Sequence, residues 1–587
     1  MTWRRTLPRS LRRQAGFIHA SLRALLFQRP FSPLDWFRAG EQGAWYDPQD
    51  TSTLFQDAAG TTPVTAVEQP VGLMLDMRFG GVRGAELVTN GTFDAGTTGW
   101  TAANSTLSVV AGYLRVTNSG AVFGYAYQAI PTEVNKWYEI TANTLPGSAA
   151  AARVYAGTSQ GGLQNIALVG TSPGGPIRGV FVATQATTYI SCLNLNTSNG
   201  TWDFDNISVR EVPGNHATQG TAASRPVYSK RYNQILATEN LAGPDWTKAA
   251  AGSASVPVVT NNYGVAPDGT LTAARVQFAL NGGTTTADFS QLSPAAAASG
   301  VSGASYVTSV WVATADGSTK NVNFVGANGA AVSRSVTGTW QEVRLAQTSA
   351  ASSIVQLRIR LRGSELSTAD SADLLVWHPD FRSADDAAKN IPAYQRVNTS
   401  SDYDTEGFPA YLRVDGSDDS MGTAGSVDFS GTDKLTLLSG VTKLSDAATA
   451  VLVELTTSAS SNDGGFNVFA PHSNGLATYY TSSRGTTQVA AFASGYAAPN
   501  SAVVTGIGHI SGDIAQIRVN GSVGATTTTD QGTGNYANAA LHLFSRAGSS
   551  LRFNGRFYGA VICGAERTTA QIAQAERWMA RRMGVSL

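Results

Sequence analysis

Cysteine is nearly absent. Cys192 and Cys563 are the two in 587 residues. Each lies in an apolar, strand-like run, TTYISCLNL and FYGAVICG, and the pair reads as buried free thiols. Disulfides therefore do not hold the chain together. Charge is also scarce, at 14% of residues, and 41 basic residues balance 41 acidic ones. No global field draws such a protein to nucleic acid. The six histidines, at 19, 216, 378, 472, 509 and 542, are scattered, and neither cysteine has a ligand-spaced neighbour. That spacing argues against a transition-metal site. Long apolar runs are missing too. The best, residues 17–27, is broken by His19, Ser21 and Arg23, whereas a spanning helix needs about 20 apolar residues. Arg23 also spoils a secretory signal. The expectation is a cytoplasmically made protein with no membrane insertion and no export route of its own.

Glycine, alanine, serine and threonine are abundant instead. Such a composition favours short strands and tight turns over long surface helices. The length predicts roughly three to five domains. Residues 1–40 hold eight arginines and one aspartate, so a basic tail precedes a mildly acidic body, as in a docking arm. Within it, SLRRQAGFIHASLRALLF puts Leu11, Ala15, Ile18, Leu22 and Leu25 on one helical face, with Arg12, Arg13 and Arg23 mostly elsewhere. Pro30 and Pro33 end this helix.

Residues 40–72, GEQGAWYDPQDTSTLFQDAAGTTPVTAVEQPVG, are dense in turn signals. This passage resembles a segment found near the N-terminus of many tailed-bacteriophage virion proteins, where it precedes binding modules and a lectin-like domain. ELVTNGTFDAGTTGW and WDFDNISVREV then resemble the first and last strands of a carbohydrate-binding-module-like β-sandwich. The passage PGNHATQGTAASRPVY recurs in the same phage family. NQILATENLAGPDWTKA repeats the logic of the first opening: strand, turn, tryptophan. From YLRVDGSDDSM onward, seven alternating segments predict two antiparallel sheets, in an order resembling a concanavalin-like (laminin-G-like) lectin. A final helix is predicted with a Thr568/Gln571 capping box, a face of Ile572, Ala575, Met579 and Met583, and Gly584 just past its end.

The expected fold is therefore all-β: tandem antiparallel jelly-roll sandwiches with a short N-terminal helical arm and a C-terminal helix. The expected parts are a basic virion-anchoring arm (1–39), a connecting segment (40–84), a first sandwich (85–212), a linker (213–232), a second sandwich (233–398) and a lectin-like sandwich with the helix (399–587).

Catalytic patterns are weak. Residues 157–161 spell G-x-S-x-G, but a nucleophile elbow needs a strand–turn–helix, and this run lies among strands. Asp415, Asp418 and Asp419 sit in a turn, where aspartate caps backbone. Glu454 lies inside a strand, and the clustered acids of lectin-fold glucanases are missing. No catalytic residue is expected, and a glycan depolymerase stays as an alternative.

Sugar binding needs exposed aromatics, because a pyranose C–H face stacks on a ring. Tyr113, Phe123, Tyr125, Tyr127 and Tyr155 in the first sandwich, and Tyr479, Tyr480 and Tyr496 in the last, are the candidates. Tyr125 and Tyr127 must share a face. Trp100, Trp202, Trp246, Trp311 and Trp340 are assigned to cores. The family resemblance implies a structural calcium between the first and last strands of the first sandwich, drawing on Glu86, Asn90 and Asp205. No other cofactor is expected. The resemblance implies a virion appendage, such as a tail fibre, located on the particle and made in the host cytoplasm. Arg12, Arg13, Ile18, Leu22 and Leu25 would dock on other virion proteins. Host polysaccharide or lipopolysaccharide would be the outer partner, and a homotrimer the assembly. A purely structural decoration protein is the other alternative.

Overall fold

The computed structural model describes residues 31–587 except 121, 150, 171–172, 196–198, 366–368, 474 and 476. The predicted arm helix and its anchoring residues Arg12, Arg13, Ile18, Leu22 and Leu25 lie outside the described residues. The regular elements from residue 31 onward are almost all antiparallel strands, with the helix Thr569–Met583 at the end.

Three sandwiches form, each around its own core. The first runs from Thr101–Ala103 to Thr201–Glu211 and the second from Trp246–Ala251 to Ser371–Ser383. Each has two five-stranded sheets. If the ten principal strands of each are counted in chain order, both have the sheet orders 7-6-9-4-1 and 8-5-10-3-2. A shared order this specific marks a divergent tandem pair. Their openings match in detail as well. The Trp100 indole N–H donates to the Asn90 carbonyl at 3.2 Å, and Trp246 donates to Ala237 at 3.0 Å. Each buried indole thus satisfies its one donor on the turn that precedes its strand. Trp202 also lies in a main core, whereas Trp311 and Trp340 are only partly buried, in a satellite cluster around Trp377.

The third sandwich draws strands from the segments expected as connector and linker. Gly43–Tyr46 pairs with the last strand, Asn554–Cys563. Leu54–Phe55 and Leu73–Met74 extend the nine-stranded sheet, and Ala217–Thr218 joins them to Met421–Thr423. Val227–Ser229 edges the other sheet beside Tyr411–Asp415. Segments 40–84 and 213–232 thus supply strands of the C-terminal jelly roll. The first small sandwich leaves the jelly roll between Leu73–Met74 and Ala217–Thr218, which are hydrogen-bonded neighbours. The second leaves it between Val227–Ser229 and Tyr411–Asp415, also neighbours.

Each small sandwich is tied down where it leaves. Phe55, Leu73, Leu75, Val180 and Val212 bury a patch under the first, and the Val180 amide donates to the Gly60 carbonyl at 2.9 Å. Beneath the second, the buried carboxylate of Asp386 accepts from Lys389 Nζ at 2.7 Å and from the Arg556 guanidinium at 2.7 and 2.8 Å. Burial opposes ionisation of Asp386, but Arg556 and Lys389 outweigh it and hold the carboxyl below its usual range.

The final helix has the predicted capping box at Thr568 and Gln571, and Gly584 ends it at φ 71°. Ile572, Ala575, Met579 and Met583 are buried. Met579 and Met583 lie over Gly440 so closely that a Cβ there would meet their sulfurs at 2.6 and 2.7 Å. Glu576, also buried on this face, accepts from Arg518 at 2.9 and 3.0 Å and from Thr505 at 3.0 Å.

Candidate functional site

One face of the first sandwich gathers tyrosines from three adjacent strands. Gly124–Pro131 alternates so that Ala126 and Ile130 enter the core and Tyr125 and Tyr127 face out. Thr187–Asn194 lies beside it, with Ser191 opposite Tyr127 and Leu193 opposite Tyr125. Ala152–Gly157 follows, with Tyr155 opposite Ser191. Residues directly opposite in an antiparallel pair share a face, so Tyr125, Tyr127, Tyr155 and Tyr189 form one surface. Ring centroids are 6.1 Å apart for Tyr125–Tyr127 and 6.3 Å for Tyr127–Tyr189, with tilted planes. All four rings are half-buried, which leaves part of each open to a ligand.

A loop walls one side of this surface. The Gly161 amide donates to the Ser191 hydroxyl at 3.0 Å. Gly161 has φ +67°, and a Cβ there would come within 3.1 Å of the Tyr125 ring, so only glycine satisfies both backbone and ring. The G-x-S-x-G run is this loop. It joins Ala152–Gly157 to Ile166–Gly170 as a β-hairpin, so Ser159 has no helix behind it and no elbow.

Of the other aromatic candidates, Phe123 is exposed just before Gly124–Pro131, and Tyr113 lies in the opposite sheet. Tyr189 is an addition to the expected set. Its run is apolar on both faces in sequence, and only the cross-strand register places it.

In the jelly roll, Phe469, Tyr480 and Phe492 lie opposite one another across three strands. Phe469 and Tyr480 meet edge-on at 5.5 Å, and His472 stacks on Tyr480 at 3.8 Å. Burial, then the nearby Arg546 charge, lowers the pKa of His472, which keeps the imidazole neutral and able to stack. Phe492, 46% exposed, is the open end of this row. Tyr480 thus faces away from the main core but is buried in a satellite cluster with Val451 and Phe469, and Phe492 is the exposed member that sequence reading missed. Tyr479 does not. It is fully buried in the core, with its hydroxyl 3.0 Å from Asn500 Oδ1. Adjacent strand residues face opposite ways, so Tyr479 and Tyr480 could not both reach ligand. Tyr496 packs on that core, 5.5 Å from the Tyr479 ring.

The residues expected at calcium are largely committed to protein partners. Glu86 accepts from the Val88 and Val209 amides at 3.0 and 2.9 Å, from the Ser208 hydroxyl at 2.5 Å and from Arg210 Nε at 3.1 Å. Burial opposes its ionisation, but these donors prevail and lower its pKa. Asn90 spends its amide on the Gly96 and Thr98 carbonyls and the Ala95 amide. Asp205 Oδ1 is buried without a hydrogen-bond partner. Protein donors, with Arg210 supplying the positive charge, already join the first and last strands. Of the side-chain oxygens of Glu86, Asn90 and Asp205, Asp205 Oδ1 alone has no hydrogen-bond partner, whereas calcium takes six to eight oxygens.

The acidic candidates are engaged by groups of the protein itself. Glu454 is buried in a bidentate pair with Arg546 at 2.9 and 3.0 Å and also accepts from the Ala459 amide at 3.0 Å. Asp415, Asp418 and Asp419 place their ligand atoms within 4.8 Å of one another. Asp419 accepts from the Asp415 amide at 2.9 Å. Burial, then repulsion from Asp415 and Asp418, pushes its carboxyl up to about 6.

No family model and no curated protein matches the chain. Solved structures with similar strand arrangements include a CBM4 module, 16% identical over 21% of this chain and 99% of its own, with a TM-score of 0.19. The CBM22 tandem of Paenibacillus barcinonensis Xyn10C is 14% identical over 52% of this chain and 99% of its own, with a TM-score of 0.21. The CBM40 of Ruminococcus gnavus IT-sialidase bound to α2,3-sialyllactose is 14% identical over 28% of this chain and 95% of its own, also at 0.21. At such scores the fold assignment rests on the strand pairing of this chain.

Proposed function

We infer that the protein is a non-catalytic virion appendage component that holds host-surface glycans by multivalent contact. The observation that carries the glycan part is the tyrosine face of Tyr125, Tyr127, Tyr155 and Tyr189. Tilted, half-open rings suit sugar C–H faces, and Ser191, fully buried among them, holds the Gly161 loop in place. The virion part is supported by the resemblance of residues 40–72 and 213–228 to phage segments. The basic arm docks on other virion proteins, and copies assemble as a trimer. Weak sugar contacts repeated across such an assembly give high avidity through effective concentration.

The test is glycan-array binding by the full chain and by Tyr127→Ala/Tyr189→Ala. Binding to host capsule or lipopolysaccharide that the double variant loses supports the reading. Binding unchanged in the variant sinks it. Immunogold labelling that misses the particle surface sinks the virion assignment alone.

A further inference from the structure

The second sandwich repeats the topology of the first, and its equivalent face has a different chemistry. Its ninth strand, Arg358–Arg362, holds the same place between the fourth and sixth strands that Thr187–Asn194 holds in the first. Ile359 and Leu361 enter the core, so Arg358, Arg360 and Arg362 line the outer face at alternate positions. Phe289 lies opposite Arg362, and Gln291 opposite Arg360. On the other side, Asn323 faces Arg360. Where the first sandwich has Tyr189, Ser191 and Leu193 on this face, the second has three guanidiniums, with Arg358 and Arg362 half-buried and Arg360 buried between them.

Among the described residues, Glu365 is the one carboxylate paired with any of these three cations. Glu365 pairs with Arg360, at 2.9 Å from Nε and 2.5 Å from Nη2. Arg362 gives its Nε to the Thr286 carbonyl at 2.5 Å, a neutral acceptor. Arg358 Nε is buried with no hydrogen-bond partner. Burial, then the Arg360 and Arg362 charges, lowers the pKa of Arg358, and Glu365 only partly offsets them. A desolvated guanidinium next to two others is costly alone and is relieved by an incoming anion, because a charge-assisted pair in a partly dry site is among the stronger polar contacts. Phe289 offers the face one ring for a sugar, and Gln291 an amide for hydroxyls.

We propose that this face of the second sandwich binds an acidic glycan, with Arg358 taking a carboxylate of the sugar and Phe289 and Gln291 holding the ring beside it. The two sandwiches then divide recognition: the tyrosine face reads neutral sugar surface, and the arginine face reads negative charge. The glycan part rests on the function proposed above, whereas the anion preference rests on Arg358 and its neighbours alone.

The test measures binding of the full-length protein to polygalacturonate, polymannuronate and hyaluronate, each against its carboxyl-reduced form, with oligothymidylate as a non-sugar polyanion. We expect at least one acidic polymer to bind over its reduced form. Arg358→Gln should weaken that binding about tenfold without lowering the thermal midpoint. Tyr127→Ala/Tyr189→Ala should leave it intact, so failure of the tyrosine reading is seen separately. The proposal is overturned if acidic and reduced forms bind alike, if Arg358→Gln has no effect, or if oligothymidylate binds more tightly than every uronate.

Discussion

The side-chain amide of Gln49 donates to the main-chain carbonyl of Arg582 at 2.7 Å, across 533 residues of sequence. The Arg582 guanidinium in turn pairs with the Asp47 carboxylate. The turn after Gly43–Tyr46 and the last helix are thus joined, and the C-terminal jelly roll closes with strands from residues 43–74 and 217–229.

That closure makes fragment 399–587 incomplete. Removing it from residues 43–74 and 217–229 exposes the core that holds Ala44, Tyr46, Leu54 and Met74 and leaves edges of both sheets unpaired. We expect the isolated fragment to lack a cooperative thermal transition, whereas residues 85–212, with their own core, unfold cooperatively. Circular dichroism melts of both fragments check this. A sharp melt of 399–587 counts against the strand assignments.

The two aromatic roles separate by mutation. Tyr479→Ala removes a fully buried ring and should cost about 3–5 kcal/mol. Tyr127→Ala opens no core cavity and should cost under about 1 kcal/mol, while reducing glycan binding. Denaturant titration alongside the array distinguishes them.

Asp76 and His216 form a buried pair that titrates in opposite senses. The Asp76 carboxylate accepts from the Trp45 and Arg78 amides at 2.8 and 2.9 Å, and its own amide donates to His216 Nδ1 at 2.9 Å. The imidazole is therefore neutral, with its proton on Nε2 facing the Val212 carbonyl at 3.1 Å. Burial pushes Asp76 up to about 6 and His216 down to about 4. The raised Asp76 contributes stability that is full below its unfolded value of 3.8 and lost as pH rises through about 6. The depressed His216 contributes stability that is full above 6.5 and lost as pH falls through about 4. Each is worth on the order of 3 kcal/mol, so they nearly cancel. Relative to wild type, His216→Gln should lose stability as pH rises from 4 to 6, and Asp76→Asn as pH falls from 6.5 to 4. Urea titrations across that range read both slopes.

Chelation should leave the first sandwich unmoved. With Glu86 held by Ser208, Val209 and Arg210, we expect EDTA to shift the thermal midpoint of residues 85–212 by less than about 1 °C. Glu86→Ala should lower it by several degrees, because backbone donors lose their acceptor. A large EDTA effect would establish the cation.

The sandwich class was legible because its long strands alternate. TLSVVAGYLRVTN and KWYEITANT bury every second residue over YLRVTN and WYEITANT, as their sequences predict. The terminal helix was legible because its caps are local. The closure of the jelly roll was not, because Gly43–Tyr46 has four residues and Leu54–Phe55 two, too few to show a period, and the partner of Gly43–Tyr46 lies hundreds of residues away. The tyrosine face was half legible. Tyr125 and Tyr127 share a strand, but Tyr155 and Tyr189 join them only through register. RIRLR alternates arginine with apolar residues and forms a strand, yet its uncompensated charge depends on where Glu365 falls.

Each small sandwich takes the place of a hairpin turn, since it enters and leaves through neighbouring strands about 5 Å apart. The jelly roll therefore requires of its guests two ends that lie side by side and a base that covers the Phe55, Leu73 and Leu75 patch or pairs with Arg556. A sandwich meeting both conditions can be exchanged with the host strand pairing kept, and a pull between Gly43–Tyr46 and Asn554–Cys563 bypasses both guests. Binding preference can change by substitution of whole parts, while the frame that bears the load stays the same.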